Sequence, residues 1–191
     1  MISEEKMRTL NVVVSGVLAL FITVAATLQP ALAQPQKNWD KLSTALVFGL
    51  AGGAELATLS NHDKPGQFEL IKTMASTLVV VEGLKSVVHA PRPDGSGNDS
   101  FPSGHAALAF SAATYFDIRY GAENRVLVPV AYGAAALTAA ARVRADKHRF
   151  GDVAAGALIG FGLAHVFTDP ESPISAYPTG DGVGLNYARR F

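Results

Sequence analysis

The sequence predicts an all-α protein: a compact helical bundle, embedded in or associated with a membrane, behind an N-terminal signal or anchor helix. Three observations carry this. Apolar residues make up 49% of the 191 and charged residues only 17%, against about 25% charged in an average soluble domain. Apolar stretches rich in Ala, Leu and Gly recur along the chain, and small residues suit close helix packing in lipid. No strand-period alternation of any length precedes the tail.

The N-terminus reads as a targeting segment. Lys6 and Arg8 precede an apolar run from Leu10 to Leu28, and Pro30 leads into Ala31-Leu32-Ala33 and then Gln34. A basic start, an apolar centre and small residues at the A-x-A positions mark a secretory signal cut after Ala33. The apolar run is about 19 residues, also long enough to span a bilayer as an uncleaved anchor. Residues 1–33 are therefore expected to be a signal peptide or membrane anchor. Either role places the remainder in the cell envelope, in the membrane or on its periplasmic side.

Residues 34–169 form the expected helical domain. A polar linker, Gln34 to Lys41, precedes a helix over Thr44–Leu59. Asn61–Gly66 is polar and turn-forming. Phe68–His89 is a long apolar stretch interrupted by Lys72, Glu82 and Lys85. Ala90–Phe101 carries prolines, glycines, Asp and Asn and is a loop. Ser103–Tyr120 is a helix with Ser103 suited to cap it. Arg125–Arg142 is a helix of small and aliphatic residues. Gly151–Phe167 is the last, with Asp152 near its start, where a carboxylate suits the helix dipole.

The runs at 44–59, 73–89, 126–141 and 153–167 reach or just miss the length that crosses hydrocarbon. In a spanning helix, Glu55, Glu82 and Lys85 must face the protein interior or a wet cavity. Residues 170–191 are expected to be an extended tail packed on the surface. Its alternation over Val183–Phe191 resembles the last strand of outer-membrane barrels only faintly, and one strand cannot close a barrel.

Composition narrows the function. The formal net charge is zero, whereas a nucleic-acid partner normally demands a basic surplus. There are no cysteines, which excludes disulfides and thiolate metal sites. Mean hydropathy is +0.22, above most soluble enzymes and modest for a chain wholly in lipid.

Three short islands carry chemistry. The first is Lys85 with Arg92, the arginine held between Pro91 and Pro93. A guanidinium on a proline-fixed backbone can bind phosphate oxygens in two-pronged fashion. The second is Pro102-Ser103-Gly104-His105 at a helix start. Free backbone N–H groups there make an anion site, Gly104 allows close approach, and His105 could protonate a leaving oxygen. The third is Arg142, His148 and Asp152. Asp152, four residues beyond His148, could accept from one ring nitrogen and leave the other to attack. Arg144, Asp146, Lys147 and Arg149 read as a solvated loop. His62, His89 and His165 lack partners in sequence and receive no role.

The pattern Lys85-x6-Arg92-Pro93, Pro102-Ser103-Gly104-His105 and Arg142-x5-His148-x3-Asp152 resembles the type 2 phosphatidic acid phosphatase and vanadium haloperoxidase superfamily. The resemblance spans residues 85 to 152. One departure is Ala141, where the family usually has Ser, so one hydroxyl donor is missing.

The resemblance implies roles by matching position. His148 is the nucleophile that forms a phosphohistidine, and Asp152 orients it. His105 is the acid for the leaving alcohol and then the base for water. Lys85, Arg92, Ser103, Gly104 and Arg142 hold the phosphoryl oxygens. Three cations plus amides supply charge stabilisation for phosphoryl transfer. No metal site and no cofactor are expected.

The function expected is a metal-independent phosphatase on a phosphomonoester or diphosphate. Phosphatidic acid, phosphatidylglycerol phosphate or a polyprenyl diphosphate fits the apolar helices. The alternatives are a secreted acid phosphatase of broad specificity on soluble esters and a vanadate-dependent haloperoxidase. Family haloperoxidases are usually much larger than this chain. A non-enzymatic phosphate- or lipid-binding protein would not need both His105 and the His148–Asp152 pair.

Overall fold

A computed structural model describes residues 35–168, 174–179 and 182–187. The expected signal or anchor, residues 1–33, and the cut after Ala33 lie outside the described residues. Five helices make up the bundle: α1 Pro35–Ser60, α2 Lys64–Val88, α3 Gly104–Tyr120, α4 Leu127–Arg144 and α5 Phe150–Phe167. The all-α expectation stands for this bundle. The tail differs from an extended arm: β1 Ile174–Thr179 and β2 Gly182–Tyr187 pair antiparallel, with Ile174 opposite Tyr187. β1 lies against α2.

α1 is helical from Pro35, the first described residue, so Pro35–Lys41 of the expected linker is helical. Asp63 caps α2 by accepting from the Gly66 amide at 2.9 Å. His89 ends α2 in the left-handed conformation (φ 47°) and donates its N–H to the Lys85 carbonyl. His89 is thus a cap.

α3 is the central rod and packs against all four other helices. Its Ala, Ser and Thr residues let neighbours approach from every side, and Ala106, Ala107, Ala109, Ser111 and Thr114 are fully buried. The closest approach is to α5. A Cβ built on Gly156 would stand 2.4 Å from the Ser103 carbonyl oxygen, and one on Gly160 only 2.0 Å from that of Ala107. These glycines, four apart on one face, let the start of α5 lie against the start of α3.

The far end of α3 is fixed by charge. Arg119 grips Asp63 through Nε and Nη2 at 2.6 and 2.7 Å and Glu69 through Nη1 at 2.8 Å. Tyr120 donates to Asp63, and Tyr115 to the Gly66 carbonyl.

Among the described residues, α1 and α5 are long and apolar enough to cross a membrane. The bundle's outer surface carries Phe48, Val79, Val87, Phe150, Leu158 and Val166, each at least 70% exposed. Glu55 is half-buried and accepts from Gln67. Glu82 is exposed and pairs with Lys85 at 2.9 Å. At the last turns of α2, a helix outside the two candidate spans, Glu82 neutralises a site lysine from outside.

Candidate active site

All three islands meet at one end of the bundle. Lys85 sits in the last turn of α2, Ser103-Gly104-His105 opens α3, Arg142 closes α4, His148 lies in the α4–α5 turn and Asp152 in the first turn of α5. Arg92 comes from the loop after α2. The loops are pinned together. The Asp94 amide donates to the Asp146 carbonyl, the Ser103 amide to the Asp152 carbonyl, Arg149 to the Pro91 carbonyl, and Lys147 pairs with Asp94 at 2.6 Å. The α4–α5 turn is therefore pinned in place, while Arg144, Asp146 and Arg149 remain exposed, as expected of a solvated loop.

His148 is 3% exposed. Its Nδ1 lies 2.6 Å from the Ser100 carbonyl oxygen. A carbonyl only accepts, so Nδ1 carries the proton and Nε2 the lone pair. Nε2 faces Nη2 of Arg142 at 3.5 Å. Burial, and then the Arg142 guanidinium, push the His148 ring down to about 4. At neutral pH the imidazole is uncharged and its Nε2 keeps its lone pair.

Asp152 does not take the place expected of it. Its Oδ2 accepts from the Ser100 hydroxyl at 2.6 Å and from the Arg149 amide at 2.8 Å. The acceptor at the His148 ring is Ser100. The reason is local: the helix begins at Phe150, so Asp152 folds back onto the helix start as a capping carboxylate. Its charge acts on His148 through Ser100.

The cations differ in their engagement. Arg142 is 3% exposed; Nη1 binds Asp40 and also reaches Ser43 Oγ at 3.3 Å, both on α1. Its buried Nε has no hydrogen-bond partner, an N–H aimed at no protein acceptor. Arg92 makes a two-pronged pair, but with Asp99, through Nε and Nη2 at 2.7 Å each. Lys85 Nζ lies 3.6 Å from where a Gly104 Cβ would stand, which puts its charge over the start of α3. Ser103 is fully buried and its hydroxyl caps α3 at Ala106. Ala141, where the resemblance expects Ser, is fully buried; the hydroxyl beside Arg142 comes from Ser43.

His105 is half-buried, with Nε2 3.1 Å from Thr44 Oγ1. Burial, then Arg142, push its ring down to about 4, with Lys85 and Arg92 adding to the effect. A negative charge beside the ring acts in the opposite direction and favours its protonated form.

Asp40, Ser43, Thr44 and Ser100 went unnoticed in the sequence. Only Ser100, two residues before Pro102, lay close enough to an island to be suspected. No group of three or more His, Asp or Glu suited to a metal ion occurs among the described residues.

The profile of the PAP2 superfamily matches residues 67–169. The chain belongs to the PAP2 superfamily. Two curated proteins are similar in sequence. The lipid A 1-phosphatase of Porphyromonas gingivalis is 39% identical over 69 residues, covering 36% of this chain and 16% of that protein. The lipid A 4'-phosphatase of Helicobacter pylori is 36% identical over 127 residues, 61% of this chain and 63% of that protein. The chain thus spans less than two thirds of the length of either relative. No solved structure matches. The PAP2 match contains Lys85, Arg92, Ser103, Gly104, His105, Arg142, His148 and Asp152. It begins beyond α1, which nevertheless supplies Asp40, Ser43 and Thr44 to the site.

Proposed function

We propose that this PAP2 member is a metal-independent phosphatase of the cell envelope. It removes phosphate from a lipid-borne phosphomonoester or diphosphate through a phosphohistidine on His148. The observation that carries the reading is the His148 ring. Its Nδ1 is held by the Ser100 carbonyl, and its Nε2 lone pair stands beside the Arg142 guanidinium.

The steps follow from these positions. Arg142, Arg92, Lys85 and the Gly104 amide take the phosphoryl oxygens, and Ser103 fixes the helix start that presents that amide. Nε2 of His148 attacks phosphorus, the bond to the leaving oxygen breaks, and His105 gives that oxygen its proton. His105 then takes a proton from water. The resulting hydroxide displaces the phosphoryl group from Nε2, and phosphate leaves. Phosphoryl transfer needs positioning and charge stabilisation more than covalent help, and these groups supply both.

The lipid part of the reading rests on the apolar rim. Val87 and Val88 end α2, and Phe150 starts α5 next to His148; all three are exposed. A phosphate reaching His148 on an amphiphile brings apolar surface to these side chains. Both relatives are named for lipid A phosphate, so phosphorylated lipid A joins phosphatidic acid, phosphatidylglycerol phosphate and polyprenyl diphosphate as substrates to try. Residues 1–33 then serve as the export signal or anchor, residues 34–169 as the phosphatase domain and 170–191 as an appended tail.

The test is phosphate release by purified protein in detergent with EDTA, on those four lipids and a soluble aryl phosphate, beside His148→Ala. Lipid turnover abolished in the mutant is the expected result. Turnover of the aryl ester alone would replace this reading with a soluble-ester phosphatase.

A further inference from the structure

We infer that Thr44, on α1 and outside the PAP2 match, positions the acid–base histidine by holding its proton on Nε2. The inference rests on the reading of His105 as the acid–base group. Thr44 Oγ1 has two neighbours. It lies 3.1 Å from the Asp40 carbonyl oxygen, one helical turn back, and 3.1 Å from Nε2 of His105. A hydroxyl has one proton. The hydroxyl donates to the Asp40 carbonyl, which can only accept and which also takes the Ser43 hydroxyl at 2.7 Å. Towards the imidazole Thr44 is then an acceptor, which assigns the proton to Nε2 of His105.

The consequence is a ring with its basic lone pair on Nδ1. That atom gains the proton when the phosphoryl anion arrives, gives it to the leaving oxygen, and recovers one from water. The two histidines are thus fixed by opposite nitrogens. His148 is held at Nδ1 by a carbonyl, which leaves Nε2 to attack. His105 is held at Nε2 by a hydroxyl, which leaves Nδ1 to exchange protons.

α1 is rigidly docked for this task. Asp40 pairs with Arg142, Gln36 donates to Asp146, and Trp39 stacks under Arg144 with 5.9 Å from the guanidinium to the ring centre. Three successive contacts tie the first turns of α1 to the end of α4 and the turn that carries His148. A slip of one residue along α1 would remove Thr44 from His105.

The experiment uses the full chain in detergent micelles with isotope-labelled histidine. Ring-nitrogen NMR shifts, assigned to His105 by their loss in H105Q, read the tautomer directly. Wild type and Thr44→Ser are expected to show a protonated Nε2 and a basic Nδ1, and Thr44→Val a mixture. Turnover is measured in parallel on para-nitrophenyl phosphate, whose leaving group needs little protonation, and on phosphatidic acid, whose alcohol needs it. T44V should lower kcat on phosphatidic acid about tenfold more than on the aryl ester, a part of the 10²–10⁴ that general acid–base catalysis supplies, with Ser restoring it. A wild-type ring protonated at Nδ1, or a T44V ring with unchanged tautomer, overturns the inference. If H105Q slows both substrates equally, it is the acid–base reading of His105 that fails, while the ring shifts still decide the Thr44 contact.

Discussion

The carboxylate of Asp152 is joined to the imidazole of His148 through one intervening residue. Ser100 donates its hydroxyl to Asp152 Oδ2 at 2.6 Å and accepts His148 Nδ1–H on its carbonyl at 2.6 Å. The negative charge therefore fixes a backbone carbonyl, and the carbonyl fixes the ring. Ser100→Ala keeps the carbonyl and loses its tether. We expect kcat to fall about tenfold, the equivalent of about 1.4 kcal/mol, with KM nearly unchanged. Asp152→Ala also frees the Arg149 amide and should cost about a hundredfold, near 2.7 kcal/mol. Steady-state phosphate release on the best lipid substrate checks both.

Acid should destabilise the protein through its two site histidines. His105 and His148 are pushed down to about 4 in the folded chain, against about 6.5 in the unfolded chain. Between those values the unfolded chain binds more protons, so stability is fully present above about pH 6.5 and is lost as pH falls through about 4. Thermal melts in detergent across that window should show a falling Tm. The double variant H105Q/H148Q should show a smaller fall. Equal slopes in both proteins would refute the assignment.

The α3–α5 contact makes a paired prediction from two glycines of one helix. A Cβ on Gly160 would stand 2.0 Å from the Ala107 carbonyl oxygen, whereas one on Gly162 meets nothing within 4 Å. Gly160→Ala must push two buried backbones apart, at a cost of about 1–3 kcal/mol. Gly162→Ala gains helix propensity, up to about 1 kcal/mol. Tm should fall for the first and hold or rise for the second.

Asp40 neutralises a nearly buried cation. Arg142 is 4% exposed at its side chain and Asp40 42%. Asp40→Ala leaves the guanidinium without its carboxylate and should lower Tm. Orthovanadate or phosphate should recover more Tm in this variant than in wild type, because an unpaired guanidinium binds an anion more strongly. Melts with and without the anion measure the difference.

Much of this architecture was legible from periodicity and breakers. Phe68–His89 and Gly151–Phe167 lie within four residues of α2 and α5 at each end. The helical state of Pro35–Lys41 was not legible. Gln34 to Lys41 is polar, and its helix is held by partners far along the chain: Asp146, Arg144 and Arg142. The tail's strand signal was visible in Val183–Tyr187, but its pairing with Ile174–Thr179 was not. All eight residues expected from the three islands stand at one end of the bundle, because the spacing reflects which helix ends adjoin. The link between Asp152 and His148 was misread, since an i,i+4 contact needs a helix through both residues and this one starts at Phe150. Thr44 and Asp40 belong to no local pattern; only the packing of α1 brings them to the site.

The central claim is the phosphoryl group on His148 Nε2. The most direct measurement is to mix the protein with a radiolabelled phospholipid, quench within milliseconds and map the label by peptide mass spectrometry. The expected result is a base-stable, acid-labile phosphoryl group on the peptide carrying His148, absent from His148→Ala and longer-lived in H105Q. Wild-type turnover by His148→Ala, or label on any other residue, would contradict the mechanism.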